Sequence, residues 1–89
     1  MIGITLKHLK NKFILTIVDN NDNIIRKVDL IEGNKYIVNP INKNKYKHRG
    51  RKIILQGIER DTYGAVAKVK FLDTKRVGKV EIDDLDNLN

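Results

Sequence analysis

At 89 residues the chain has room for one domain, and its 40% apolar and 33% charged residues are typical of a folded protein rather than a disordered one. Its longest apolar runs fall far short of the ~20 residues that cross a membrane, and it has no cysteine for disulfides or thiolate metal sites. The formal net charge of +7 favours a polyanionic partner, the alternative being a charge that serves solubility alone.

The first third of the chain predicts a β-meander. Residues 2–6 alternate with period two and indicate a short edge strand, whereas residues 13–18 are apolar on both faces and suit a central strand. Residues 19–23, Asp-Asn-Asn-Asp-Asn, favour a turn because such side chains hydrogen-bond their own backbone. Residues 24–30 are then the return arm of a hairpin.

The rest of the chain predicts short strands separated by turns at residues 61–64 and 73–76. The predicted strands are residues 35–38, 53–58, 65–72 and 77–82, with a last short segment at 87–89. Gly57 inside a strand indicates a bulge, and Asp83-Asp84-Leu85 indicates one helical turn. No segment keeps apolar residues at helical spacing beyond one turn. The fold class is therefore mostly β.

Residues from about 32 to 88 resemble a known small barrel in the order of their elements. The segments that carry the likeness are His48-Arg49-Gly50-Arg51 leading into residues 52–58, Ala67-Lys68-Val69-Lys70-Phe71, Gly78-Lys79-Val80-Glu81-Ile82 and Asp83-Asp84-Leu85. This region resembles a small SH3-like barrel of the KOW or Tudor-like kind. We expect a single domain, 1–89, in which residues 1–31 are an N-terminal β-hairpin extension and residues 32–89 the barrel. The resemblance implies a module that binds RNA, DNA or protein through loops at one end.

The strongest functional signal is the basic run at residues 43–52, inside a loop predicted for residues 39–50. In an extended loop, alternate cations would point to one side and the rings of Tyr46 and His48 to the other. The cations suit a phosphate backbone, and a ring could stack on an unpaired base, the alternative for Tyr46 being to pack on the barrel mouth. The predicted nucleic-acid-binding residues are Lys43, Lys45, Tyr46, Lys47, His48, Arg49, Arg51, Lys52, Lys75 and Arg76.

Lysines on the predicted strands could enlarge this surface. Lys68, Lys70 and Lys79 alternate with apolar residues and are predicted to point outward. The alternative is an ordinary solvated sheet face.

Catalytic and metal-binding patterns are weak. The chain has no serine and no cysteine for acyl transfer, and His8 and His48 lack the spacing of metal ligands. The acidic residues Glu81, Asp83, Asp84 and Asp86 indicate a solvated cap near the C-terminus, with a cation site or pairing with the basic loop as alternatives. We therefore expect no enzyme activity, no cofactor and no metal.

Two functional hypotheses follow. The first is a non-enzymatic nucleic-acid-binding accessory protein that contacts the backbone of RNA or DNA with little sequence preference. The second is a protein–protein interaction module, an adaptor or small inhibitor, that docks on an acidic partner or through an exposed strand edge at residues 2–6 or 35–38. A homo-oligomer joined by the N-terminal meander is compatible with both.

The source and location are also predicted from composition. Frequent Lys, Asn and Ile indicate an AT-rich coding genome, as in low-GC bacteria and their phages or plasmids. Lys7, Lys10 and Lys12 interrupt any secretory signal, so we expect a cytoplasmic protein with no membrane association.

Overall fold

The computed structural model describes residues 2–61 and 64–88, except the side chain of Asp61, and this part of the chain is mostly β. Its elements are β1 (Gly3–Leu9), β2 (Lys12–Val18), β3 (Ile24–Leu30), β4 (Lys35–Val38), β5 (Lys52–Asp61), β6 (Gly64–Phe71), β7 (Val77–Glu81), a 3₁₀ turn (Ile82–Asp84) and β8 (Leu85–Asp86). All strand pairs are antiparallel. Among these residues no helix is long enough to span a membrane.

The first sheet has the order β1-β2-β3 and confirms the predicted meander. The Asp19 carboxylate accepts hydrogen bonds from the backbone amides of Asn21 (2.8 Å) and Asn23 (3.0 Å), which is the predicted turn chemistry. The edge strand is longer than predicted, because it continues from residue 6 to Leu9. Lys7 is exposed and does not interrupt it, since alternate side chains of an edge strand face solvent.

The second sheet has the order β7-β6-β5-β4-β8. The register shifts between Leu55 and Gly57, which confirms the predicted bulge. The middle of the predicted turn at 61–64 lies outside the described residues. The last strand is Leu85–Asp86 rather than residues 87–89, because the chain pairs with β4 directly after the 3₁₀ turn. Since β4 pairs with both β5 and β8, the predicted exposed edge at residues 35–38 is wrong.

The two sheets share one hydrophobic core. Buried side chains of the first sheet are Leu15, Ile17, Val28 and Leu30, and those of the second include Val38, Ile53, Leu55, Val69 and Phe71. Full burial of each such side chain contributes about 1.5–3 kcal/mol. Residues 1–31 are thus part of the same packed body as the second sheet.

Two polar side chains also tie the sheets together. The phenol of buried Tyr36 donates to the carbonyl of Asp29 (2.6 Å) and accepts from the amide of Ile31 (2.7 Å). The Arg26 guanidinium donates to the carbonyl of Asp83 (2.8 Å) and lies 3.4 Å from the Asp86 carboxylate. These bonds satisfy polar groups that would otherwise be costly to bury.

Candidate nucleic-acid interface

Residues 39–51 join β4 to β5 as a folded loop braced by Arg49. Its guanidinium donates to the carbonyls of Asn42 (2.7 Å) and Lys45 (3.0 Å) and to Oδ1 of Asn39 (3.3 Å). These bonds direct the Arg49 side chain into the loop itself. The predicted extended loop, with its cations on one side, is therefore wrong, because the loop's own carbonyls hold one of those cations.

Lys45 anchors the loop to the end of the second sheet. Its ammonium group lies 2.7 Å from Asp84 Oδ2 and 3.0 Å from Glu81 Oε2. Partial burial lowers the pKa of Lys45, but its bonds to the two carboxylates outweigh this effect and the net shift is upward. The pairing of the acidic residues with the basic loop, one of the alternatives predicted from the sequence, is thus present at Lys45.

The predicted solvated acidic cap is wrong for Asp84, which is only 6% exposed. Carboxylate oxygens of Glu81, Asp83 and Asp84 lie within 4.8 Å of one another. Burial first, and then the charges of Asp84 and Glu81, raise the pKa of Asp83. Lys45 pairs with Glu81 and Asp84, and its single charge offsets part of the negative charge of this cluster, which is an internal ion-pair site.

Arg51 stacks on Phe71 and binds the turn between β6 and β7. Its guanidinium carbon lies 4.0 Å from the centre of the Phe71 ring, and it donates to both Asp73 oxygens, at 2.9 and 3.1 Å. These hydrogen bonds lower the pKa of Asp73. The ring in turn fits against Gly78, where a Cβ atom would lie 2.8 Å from Phe71 Cε2. The base of the loop and the β6–β7 turn are thereby fixed to each other.

His48 completes this cluster. Its Nδ1 lies 2.8 Å from Arg51 Nη1, and its ring centre lies 4.7 Å from that of Phe71. Arginine can only donate, so Nδ1 accepts and the imidazole is neutral with its proton on Nε2. Burial first, and then the charges of Arg51 and Lys47, lower the pKa of His48 below its ordinary value of 6.5, against a smaller opposing effect of Asp73. His48 is a structural acceptor in this arrangement.

The other predicted residues are exposed. Five cations of the predicted site have no ion pair among the described residues: Lys43, Lys47, Lys52, Lys75 and Arg76. The ring of Tyr46 is 73% exposed, so it projects from the loop and does not pack on the sheet. The structure therefore divides the predicted site into internal members (Lys45, His48, Arg49 and Arg51) and accessible ones.

Strand register gathers further lysines on the outer face of the second sheet. We call Lys35, Lys52, Lys68 and Lys70 the lysine face. Lys35 lies opposite Ile54, and Ile54 lies opposite Lys70, so the three form one row across β4, β5 and β6. Their chain neighbours Ile53 and Phe71 are buried, which places the row on the side away from the core. Neighbouring strands lie ~4.8 Å apart and alternate residues ~7 Å apart, so strand geometry places the Cα atoms of neighbouring lysines on this face about 7–10 Å apart.

The lysine face has no carboxylate partner among the described residues, whereas Lys79 beside it pairs with Glu59 at 3.0 Å. Sequence reasoning found Lys52 as a site residue and Lys68 and Lys70 as possible additions, but it missed Lys35. The period-two pattern already indicated that Lys35 faces outward, because it precedes buried Tyr36. The sequence did not show which strands become neighbours and so which lysines share a face.

No protein-family model matches this chain, and no curated protein or solved structure shows significant similarity to it.

Proposed function

We propose that this protein is a non-enzymatic nucleic-acid-binding protein that contacts the sugar–phosphate backbone through the lysine face. Lys75 and Arg76 in the adjoining β6–β7 turn, with Lys43, Tyr46 and Lys47 in the loop, extend the contact surface. Arg49, Arg51, Lys45 and His48 shape this surface from within. Contacts of this type give affinity and salt dependence with little sequence preference.

The observation that carries the proposal is the separation of paired from unpaired cations. Arg51 and Lys45 are bound by carboxylates, while Lys35, Lys52, Lys68 and Lys70 share one sheet face and pair with no carboxylate in the part of the chain that the structure describes. A row of unpaired ammonium groups raises the local positive potential and favours a polyanion. The exposed ring of Tyr46 adds a surface on which an unpaired base could stack.

The order of elements gives independent support. A short strand, the basic loop, three meandering strands, a 3₁₀ turn and a last strand follow one another, and the last strand returns to the first. This is the order on which the resemblance to SH3-like barrels of the KOW or Tudor-like kind rests. We propose that kinship as well, and such barrels serve as binding modules.

The test replaces Lys52, Lys68 and Lys70 by Gln and measures binding to single- and double-stranded oligonucleotides over a range of salt concentrations. Each lost phosphate contact lowers the slope of log affinity against log salt by about 0.7–0.9. We expect the triple variant to bind more weakly at low salt, with a slope smaller by about two to three.

The matched control replaces three exposed lysines of the first sheet and its turn, Lys7, Lys10 and Lys27, by Gln. It removes the same charge from another surface, so its salt slope should stay close to that of the wild type. Equal weakening in both variants would show an effect of net charge alone. Absence of oligonucleotide binding at low salt would refute the proposal.

A second candidate is an acidic protein partner on the same face. Val77, opposite Lys70, is 57% exposed, and an apolar side chain among lysines also suits a protein surface. Recovery of a partner that survives nuclease treatment and is lost in the lysine-face variant would favour this function.

A further inference from the structure

Among the described residues no strand pairs with the outer edge of β1, and the register of β1 with β2 indicates which backbone groups point to that edge. A two-residue turn joins Leu9 to Lys12, and these residues are paired. In such a hairpin the residues flanking the turn exchange both backbone hydrogen bonds, and bonded pairs then alternate along the strands. The N–H and C=O groups of Ile4, Leu6 and His8 therefore point away from β2, toward the open edge.

The opposite edge of this sheet is protected. The Asn87 side chain donates to the carbonyl of Lys27 at 3.3 Å, and Arg26 of the same strand binds the backbone of Asp83. Among the described residues, no comparable contact caps β1. An unprotected edge is a template for another strand.

Apolar side chains accompany this edge. Ile2, Ile4 and Leu9 are 47%, 49% and 37% exposed. A groove of about 740 Å³ runs beside β1, and its apolar lining is Ile4, Leu6, Ala65, Val66 and Ile82. Ile4 and Leu6 lie opposite buried Ile17 and Leu15, so they face the core side of the sheet. A strand added to this edge would place its own inward side chains over the groove.

We propose that β1 pairs antiparallel with β1 of a second copy of this chain, centred on Leu6, to form a homodimer with one continuous six-stranded sheet. This register pairs all seven residues of the strand. Leu6 lies opposite Leu6, Ile4 opposite His8, and Thr5 opposite Lys7 of the second copy. The free backbone groups of Ile4, Leu6 and His8 then meet the same groups of the other chain.

Charge and symmetry favour a second copy of this chain as the source of the strand that pairs with β1. Lys7 is the one residue of β1 with a fixed charge, and in this register it lies opposite neutral Thr5, so no like charges are paired. The contact is isologous, because the same residues serve on both sides, and it closes after two copies. The protected edges of the two β3 strands then end the sheet.

The first test measures molar mass by light scattering across a concentration series. We expect a dimer for the wild type and for Ile24→Lys, a substitution at a 62% exposed position of β3. Ile4→Lys introduces a charge at the proposed interface and should raise the dissociation constant by about tenfold or more. A wild-type monomer throughout, or equal dissociation of both variants, would overturn the proposal.

The second test reads the register directly, since the chain has no native cysteine. Thr5 and Lys7 of opposite copies form a non-hydrogen-bonded pair with Cα atoms ~4.5 Å apart, within the range of a disulfide. The double variant Thr5→Cys, Lys7→Cys should form a covalent dimer on mild oxidation, and Thr5→Cys alone should do so far less. Failure of the folded double variant to cross-link would refute this register.

Discussion

The contact between His48 and Arg51 depends on the protonation state of the imidazole. Nδ1 can accept from the Arg51 guanidinium while the ring is neutral, but protonation turns it into a donor that faces a cation. Lys47 and Arg51 add positive charge nearby, and Asp73 is the carboxylate that opposes them. Protonation of His48 in acid therefore destabilises its contact with Arg51 at the base of the loop.

We predict that the protein loses stability as the pH falls through 6.5. Because the pKa of His48 is lowered in the folded state, the unfolded chain binds more protons below that value, and the loss continues until the folded-state pKa is passed. The free energy of unfolding, measured by urea denaturation from neutral pH to about pH 5.5, should fall less for His48→Gln. Equal pH dependence of the wild type and His48→Gln would contradict this role.

At the level of single residues, the sequence showed which side chains are cationic, but it did not show which carboxylates they pair with. Lys45 and Arg51 were predicted to contact phosphate, yet they bind Glu81 and Asp73, which are 36 and 22 residues away in the chain. Local pattern cannot show such pairing, because it depends on which turns meet at one end of a sheet. Lys52 and Lys75 are exposed as predicted, and neither forms an ion pair with any residue that the structure describes.

The basic loop and the 3₁₀ turn act as one unit at the end of the second sheet. Lys45 joins them through Asp84, whose side chain is 8% exposed, and the Asn39 amide donates to the Asp84 carbonyl at 2.7 Å. A buried carboxylate without its cation is costly. The loop thus stabilises the turn that leads into β8.

We predict that Lys45→Met destabilises the protein by about 2–3 kcal/mol, because it leaves the Asp84 charge unpaired. Lys79→Met is the control, since Lys79 and Glu59 are 60% and 50% exposed and such pairs contribute about 0–1 kcal/mol. Thermal or urea denaturation measures both variants. If Lys45→Met lowers the free energy of unfolding no more than the control does, water replaces the lysine as the partner of the Asp84 carboxylate.

Two strands that are flanked by turn-forming residues were predicted closely. Residues 24–30 and 35–38 were predicted as strands with the bounds that the structure has, because turn-forming residues flank them. The predicted end of β1 was wrong at Lys7, since a charged side chain is compatible with an exposed edge. The position of β8 was also missed, because its two residues carry no pattern of their own and depend on pairing with β4.

Over the whole molecule, the two sheets bury a single core. Leu15 and Ile17 of β2 are fully buried, as are Ile53 and Val69 of the second sheet. The sequence predicted strands on both sides of residue 31 but could not show that they share this core, since packing of one sheet on another joins residues far apart in the chain.

We predict that residues 32–89 do not fold alone. Removal of residues 1–31 takes away Leu15, Ile17, Val28 and Leu30 and the polar bonds of Arg26, and it uncovers the apolar face of the second sheet. The fragment should lack a cooperative thermal transition and a dispersed amide NMR spectrum, both of which the full chain should show. A dispersed spectrum of the fragment would contradict this expectation.

The way in which Arg49 holds its loop has a practical consequence for protein engineering. Two of the three acceptors are main-chain carbonyls, which any residue supplies. Side chains at positions 43, 44, 46 and 47 can therefore be randomised while the backbone path is retained, provided that Arg49 and Asn39 are kept. The loop is thus suited to carry a library of grafted recognition sequences on a small scaffold.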